Sequence, residues 1–353
     1  MDTAREAALD RGLVIPAHPL ALRADRRLDE SRQRALTRYY IDAGAGGVAV
    51  GVHTTQFSIH NPAVGLYEPV LELAAEELAQ TDAPLVRVAG VLGPTEHAVR
   101  EAETAARLGY DLALVAASSW GDASENEILT GMRSIGEVLP IFGFYLQPAV
   151  GGREFRYSFW RSLFELQAVR AVKVAPFDRY RTLDVVRAVA DSGRACDVAI
   201  YTGNDDNIVA DLLTPYPGSS ASGAEVRIVG GLLGQFAVWT AAAVELVGRI
   251  RHLVSSGSAI PPVLLTIGAQ LTDANAAIFD AANGFRGCIP GIQEVLSREG
   301  LLAGRWSLDP DEDLSPGQQA EIDRVWHAYP HLRDPVELVK LLTEGFEPQP
   351  SDP

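Results

Sequence analysis

Apolar residues along this chain fall into short β-branched runs. Between the runs they recur every three or four positions. The runs lie at 13–17, 47–52, 85–91, 112–117, 141–146, 169–175, 197–202 and 226–230, and predict eight strands. Successive runs begin about 30 residues apart, the length of a strand and its crossover helix. Leu36, Tyr39, Tyr40 and Ala43 share one helical face, with Gly44 as the stop. Thr95 opens a helix running through Ala98, Ala102 and Ala105 to Leu108, with Gly109 as terminator. Eight such units predict an α/β fold, a (β/α)8 TIM barrel. An open doubly wound sheet is the alternative, but no Gly-rich dinucleotide fingerprint follows the first run.

The barrel with its N-terminal segment is expected over 1–250, closing with a helix at 236–250. Further helical patterns at 273–283, 292–299, 316–329 and 335–342 predict a helical C-terminal extension over 251–345, suited to an oligomer surface. A Pro/Gly/Ser-rich loop is expected at 214–223 and a disordered tail at 346–353.

Alternation along a strand separates inward from outward side chains. In the sixth run Val172 and Val174 suit the outer face, leaving Val169, Ala171, Lys173 and Ala175 inward. Small neighbours there leave room for a long lysine. In the fifth run the bulky Phe142, Phe144 and Leu146 are expected outside, against helices, and Tyr145 inside. In the second run His53 shares the inward parity of Ala49 and Gly51. Lys173, Tyr145 and His53 are therefore expected to converge on one interior, at the C-terminal end where barrel enzymes keep their chemistry.

Lys173 is the strongest signal. Only Lys173 and Lys340 are lysines among 30 basic residues, so a lysine here marks a position where arginine does not substitute freely. Desolvation favours the neutral amine, the form that attacks a carbonyl to make a Schiff base. A lysine paired with a barrel carboxylate is the other reading. Tyr145 suits a proton shuttle, or equally a core tyrosine with its hydroxyl satisfied. The run His53-Thr54-Thr55-Gln56 offers hydroxyls and N–H groups to a substrate carboxylate, or is a plain loop. Gly230-Gly231 permits close approach of a ligand, or is a turn. His18, His53 and Asp205 lack any HxH or HExxH spacing, so no metal is expected.

Composition narrows the partners. Hydrophobic residues make up 47% of the 353, enough for a large core, and 22% are charged. The net charge of −16 argues against nucleic acid or an anionic membrane surface. Two cysteines, Cys196 and Cys288, fit a reducing compartment. No secretory signal or spanning segment is visible, so a cytoplasmic protein is expected.

These residues resemble the dihydrodipicolinate synthase / N-acetylneuraminate lyase family of class I aldolases, from about Leu13 to Trp326. Tyr145-Leu146-Gln147-Pro148 is similar to the family's Tyr-Asn-x-Pro, and Val172-Lys173-Val174 follows at the family's spacing. Asp178 sits where the family often carries an acid. Gly203-Asn204-Asp205 looks like its Gly-Asp-Asp turn. The resemblance implies Lys173 as the Schiff-base lysine, Tyr145 as the proton relay and a 2-oxo acid such as pyruvate as donor. It also implies no metal or organic cofactor, and a homo-dimer or homo-tetramer. Thr54 and Thr55 correspond to its carboxylate-binding pair. Three departures separate the chain from the synthases. The Gly-Thr-Thr-Gly-Glu loop reads Gly51-Val52-His53-Thr54-Thr55-Gln56-Phe57. Pro-Tyr-Tyr is replaced by Ser118-Ser119-Trp120. The arginine after the Tyr-Asn-x-Pro proline is replaced by Ala149-Val150-Gly151-Gly152. The expectation is a Schiff-base lyase or aldolase on a 2-oxo acid and an aldehyde, and not a true dihydrodipicolinate synthase. A 2-oxo-3-deoxy sugar acid dehydratase and a non-catalytic ligand-binding barrel are the alternatives.

Overall fold

The apolar runs form eight parallel strands: β1 (Val14–Pro16), β2 (Gly47–Val50), β3 (Val86–Val91), β4 (Leu112–Ala116), β5 (Ile141–Leu146), β6 (Val169–Ala175), β7 (Ala199–Thr202) and β8 (Val226–Leu233). In this computed structural model, residues 1–216 and 225–343 are described. Each strand pairs with its sequence neighbour from β2 to β8, and β8 pairs with β1. The seam between β1 and β2 closes through a parallel bridge from Ala17 to Ala49, with the His18 N–H donating to the Ala49 carbonyl at 2.8 Å. The result is the (β/α)8 barrel. Of the loop expected at 214–223, Pro215–Tyr216 forms a short antiparallel strand on the start of β8. The rest of that loop, and the tail expected at 346–353, lie outside the described residues.

Helix α1 (Thr3–Arg11) precedes the barrel and sends Leu9 into its N-terminal end, where the Leu9 carbonyl accepts from the Tyr201 hydroxyl at 2.7 Å. The outer ring is α2 (Glu30–Asp42), α3 (Tyr67–Leu78), α4 (Thr95–Arg107), α5 (Glu125–Gly136), α6 (Tyr157–Leu163), α7 (Arg179–Ala190), α8 (Ile208–Leu213) and α9 (Thr240–Ser256). Local chemistry starts and stops these helices. Asp29 and Asp178 cap α2 and α7 through their carboxylates, and Ser124 with Glu127 makes a reciprocal capping box on α5. Gly44 follows α2 at φ +83°, a conformation only glycine adopts without strain.

Two apolar layers result. The barrel interior holds Ile15, Ala49, Val88, Leu114, Phe142, Phe144, Ala171 and Tyr201, among others. The layer between strands and helices holds Val48, Val115, Val172, Val174 and Val185. From Ala171 onward the inward parity of β6 is as the sequence predicts; Val169, expected inward, lies instead in the outer layer. The parity of β5 is the reverse: Phe142, Phe144 and Leu146 face inward, and Tyr145 faces out. A barrel interior must be filled by side chains. Alanines at 171 and 175 on β6 leave space that the bulky residues of β5 occupy. The pairing of β5 with β6 also skips a residue, from Ile141–Val169 to Phe142–Ala171, so Arg170 bulges out of the ladder.

After α9 come α10 (Val263–Ile278), α11 (Cys288–Arg298), α12 (Gln318–Ala328) and α13 (Val336–Thr343). Part of this extension folds onto the barrel. Asn275 donates to the Asp205 carbonyl and Thr272 to the Asp206 carbonyl, each at 2.8 Å. Among the described residues no helix is long and apolar enough to cross a membrane.

Candidate active site

Lys173 stands near the C-terminal end of β6, inside the barrel, and is 7% exposed. Its stem lies against Gly203, where a Cβ would come within 2.7 Å of Lys173 Cε. Nζ lies over the Phe144 ring, 4.2 Å from the centroid. Burial pushes the amine below its usual pKa, while the negative charge of Asp205 pulls the other way. Burial likewise pushes the Asp205 carboxyl well above the usual carboxylate range, opposed by the Gln235 N–H and by Lys173.

The Asp205 turn is built from below. Asp211, wholly buried, accepts from Thr202, Asn204, Asn207 and Arg179, and the Asn204 side chain in turn accepts from the Phe177 N–H. Asp205 Oδ1 accepts from the Gln235 N–H at 2.9 Å, and its own carbonyl is held by Asn275. Asp205 is therefore tied to β7 by the chain, to the turn after β8 by its carboxyl and to α10 by its backbone carbonyl.

A cavity at the barrel mouth joins Lys173 and Asp205 to His53, Thr54, Gln147 and Cys288. Its remaining wall is apolar and aromatic: Phe144, Leu146, Val150, Phe177, Phe279 and Phe285. Burial, aided by the Lys173 charge, lowers the His53 pKa to about 4, so its imidazole is neutral at neutral pH. Burial pushes the Cys288 thiol up, and it stays protonated.

Of the residues singled out in the sequence, Lys173, His53 and Thr54 meet in this cavity. Thr54 donates its hydroxyl proton to the Ala17 carbonyl at 2.8 Å, so toward a ligand it is an acceptor in this rotamer. Thr55 is not on the wall. Its hydroxyl donates to the His18 carbonyl and accepts from the Gly51 and Val52 N–H groups, knitting the loop together. Gly230 and Gly231 are also elsewhere, at the β1–β8 seam. A Cβ on Gly230 would meet the Leu13 backbone at 2.4 Å, and one on Gly231 the Phe236 ring at 2.6 Å. Gly234 lines the cavity instead.

Tyr145 is outside the barrel wall. Its ring packs on Trp160, with centroids 4.8 Å apart, and its hydroxyl sits beside Arg181 and the Phe155 backbone. The expected convergence of Tyr145 on Lys173 is corrected by the β5 parity. Asp178, the acid after the lysine strand, caps α7. The residues that sequence reasoning left off the site are Cys288, Gln147, Phe279 and Phe285, together with Asp205, read there as a turn residue. Asp205 carried a signal, since it follows a barrel strand at its C-terminal end. Cys288 and the two phenylalanines come from the extension, which no periodicity places over the mouth.

The architecture defines a class: a (β/α)8 barrel with an inward lysine at its C-terminal mouth and a helical extension that completes the wall. No family model matches the chain. Two curated relatives do, the 4-hydroxy-tetrahydrodipicolinate synthases of Bifidobacterium longum strains DJO10A and NCC 2705. Each is 28% identical over 196 residues, 55% of this chain. The matched stretch spans about 60% of the length of these curated relatives. Among solved structures, the lysine-bound dihydrodipicolinate synthase of Cyanidioschyzon merolae superposes with a TM-score of 0.73 at 19% identity, covering 91% of this chain and 99% of that one. The N-acetylneuraminate lyase of Fusobacterium nucleatum complexed with pyruvate gives 0.69 at 19% identity, over 92% and 99%. The resemblance to the dihydrodipicolinate synthase / N-acetylneuraminate lyase family stands in sequence and in fold.

Proposed function

We propose that this chain is a Schiff-base-forming lyase or aldolase that acts on a 2-oxo acid, without a metal or organic cofactor at the Lys173 cavity. The observation that carries the reading is Lys173 itself: a buried amine on an aromatic face, with one carboxyl nearby and a cavity in front of it. A neutral Nζ adds to the C2 carbonyl of the donor, forming the C–N bond while the carbonyl oxygen takes up a proton. Loss of that hydroxyl as water, with a second proton, leaves the imine. Removal of a C3 proton gives the enamine, whose carbon attacks an aldehyde; the reverse sequence is the lyase direction. Asp205, held protonated more readily than an ordinary carboxyl, is the proton donor and acceptor of these steps.

The test is incubation with pyruvate, reduction with borohydride and peptide mass analysis. The expected result is a reduced adduct on the peptide containing Lys173, absent from Lys173→Arg. An adduct elsewhere, or none with any 2-oxo acid tried, overturns the proposal. The outward face of Tyr145 favours a second reading, a barrel that binds without turnover. It predicts that no aldehyde is consumed or released by protein carrying the imine.

A further inference from the structure

A second group of chemically active side chains lies on the other side of β2 and β3, away from the Lys173 cavity. His60 ends the loop that follows β2, and His97 and Glu101 are one helical turn apart on α4, facing the same way. His60 Nδ1 is 2.8 Å from Glu101 Oε1, and His97 Nε2 is 2.9 Å from the same oxygen. The three ligating atoms all lie within 4.8 Å of one another. His60 and Glu101 are buried, and His97 is partly exposed at the floor of a surface cleft of about 590 Å³.

The hydrogen bonds around the group restrict what it can be. His60 Nε2 is 2.7 Å from the Gly51 carbonyl, which can only accept, so the ring proton is on Nε2. A neutral His60 then turns a bare Nδ1 lone pair toward a carboxylate oxygen. Two acceptors at that distance need a cation between them, either an added proton or a metal. The other Glu101 oxygen accepts from the Leu92 N–H at 3.0 Å. Both His60 and Glu101 are thus oriented by backbone groups on their far atoms, as supporting hydrogen bonds orient metal ligands. The third donor, His97, converges on the same oxygen and leaves the cleft side open.

We propose that His60, His97 and Glu101 form a zinc site that clips α4 to the loop following β2. Two imidazoles and a carboxylate are a common zinc donor set, and the open cleft admits a water as fourth ligand. Tetrahedral bonds of about 2.0–2.2 Å set donor atoms about 3.3 Å apart, so the two His–Glu101 separations of 2.8 and 2.9 Å need open by only about half an ångström, while the two imidazole nitrogens, within 4.8 Å of each other, need settle at the same spacing. The clipped loop also carries His53 and Thr54 to the Lys173 cavity, and Gly51, which holds His60, is two residues from His53.

The test uses the full chain, stripped with a chelator and dialysed, then titrated with zinc sulfate against a competing dye and read for bound metal by mass spectrometry. One zinc per chain is expected. His97→Ala, at a partly exposed position, is expected to keep the fold and to weaken binding on the order of 100-fold. Glu101→Gln keeps an oxygen for the Leu92 N–H and is expected to weaken it as well. Zinc should raise the melting temperature of the wild type in a concentration-dependent way and not that of His97→Ala. Cobalt in place of zinc should give the visible absorption of a tetrahedral site. Substoichiometric zinc, or binding unchanged in His97→Ala, overturns the proposal.

Discussion

A lysine held against a phenylalanine face, with one carboxyl as its counter-charge, is a poorly solvated cation that gives up its proton easily. Asp205 and Cys288 are the titratable groups whose charge acts on it. Burial lowers the Lys173 pKa, and Asp205 raises it again in part. The reactive form is the neutral amine, so the rate of borohydride trapping with pyruvate should rise with pH through the Lys173 pKa, at lower pH than for a free lysine. In Asp205→Asn the upward pull is gone, and the rise should move to still lower pH; a move to higher pH would contradict the pairing. The same variant loses the proton donor, and its turnover should fall about 100- to 10,000-fold. Tyr145→Phe makes the contrast. Its hydroxyl is beyond the barrel wall, so turnover should stay within about tenfold of wild type, with stability lower by about 1 kcal/mol or less. A Tyr145→Phe enzyme as slow as Asp205→Asn would restore the tyrosine to the site. At this scale Lys173 was legible because β6 alternates small and β-branched residues. The place of Tyr145 was not legible, because bulk does not mark the outer face of a barrel strand: Phe142 and Phe144 fill the interior.

Strand ends and the segments after them position the cavity. Gly203 directly follows β7, and its lack of a side chain lets the Lys173 stem pass. A Cβ there would come within 2.7 Å of both Ala175 Cβ and Lys173 Cε. The lysine tip can move, but Ala175 Cβ is fixed to β6. Gly203→Ala should therefore cost about 1–3 kcal/mol in denaturant unfolding and slow imine trapping. If both are unchanged, the Lys173 stem does not depend on the close approach at Gly203. The strand and helix order was legible from the alternation of the two apolar periods, since each unit is local. The reach of the extension was not. Asn275 and Thr272 on α10 hold backbone carbonyls about 70 residues earlier in the chain, and such long-range pairings leave no periodic trace in a sequence. The zinc donors were equally hidden, because only the packing of α4 on the β2 loop brings His60 to the His97–Glu101 pair.

Two properties belong to the whole molecule. One is association: Ile260, Val263 and Leu265, at and before the start of α10, are 49%, 48% and 63% exposed, an apolar patch on the outer surface. The expected species is a homo-oligomer, and Leu265→Glu should shift it toward single chains. Light scattering showing one 37.9 kDa species at all concentrations would exclude association.

The other is the field that a second substrate meets. The chain carries a net charge of −16, and among the described residues lining the cavity Lys173 is the sole cation. That lysine is consumed by the imine with the donor, and His53 stays neutral because its pKa is lowered to about 4. Arg153, the first cation after the Pro148 segment, is committed elsewhere. It donates to the Gly121 and Ala123 carbonyls at 3.1 and 2.6 Å and lies over the Phe155 ring. What faces the space beyond Lys173 is Val150, Phe177, Phe279 and Phe285. A carboxylate set against that wall gives up its hydration without a bidentate partner, at a cost on the order of 2–5 kcal/mol, or tens- to thousands-fold in rate. An apolar or aromatic aldehyde gains from the same wall by burying its own surface. Aspartate semialdehyde, with its second carboxylate, should therefore condense with pyruvate far more slowly than neutral aldehydes of similar size. The comparison is kcat/KM across a panel run under one set of conditions. If the semialdehyde proves the best partner, Arg153 leaves its carbonyls during turnover, and the charge argument fails while the imine at Lys173 stands.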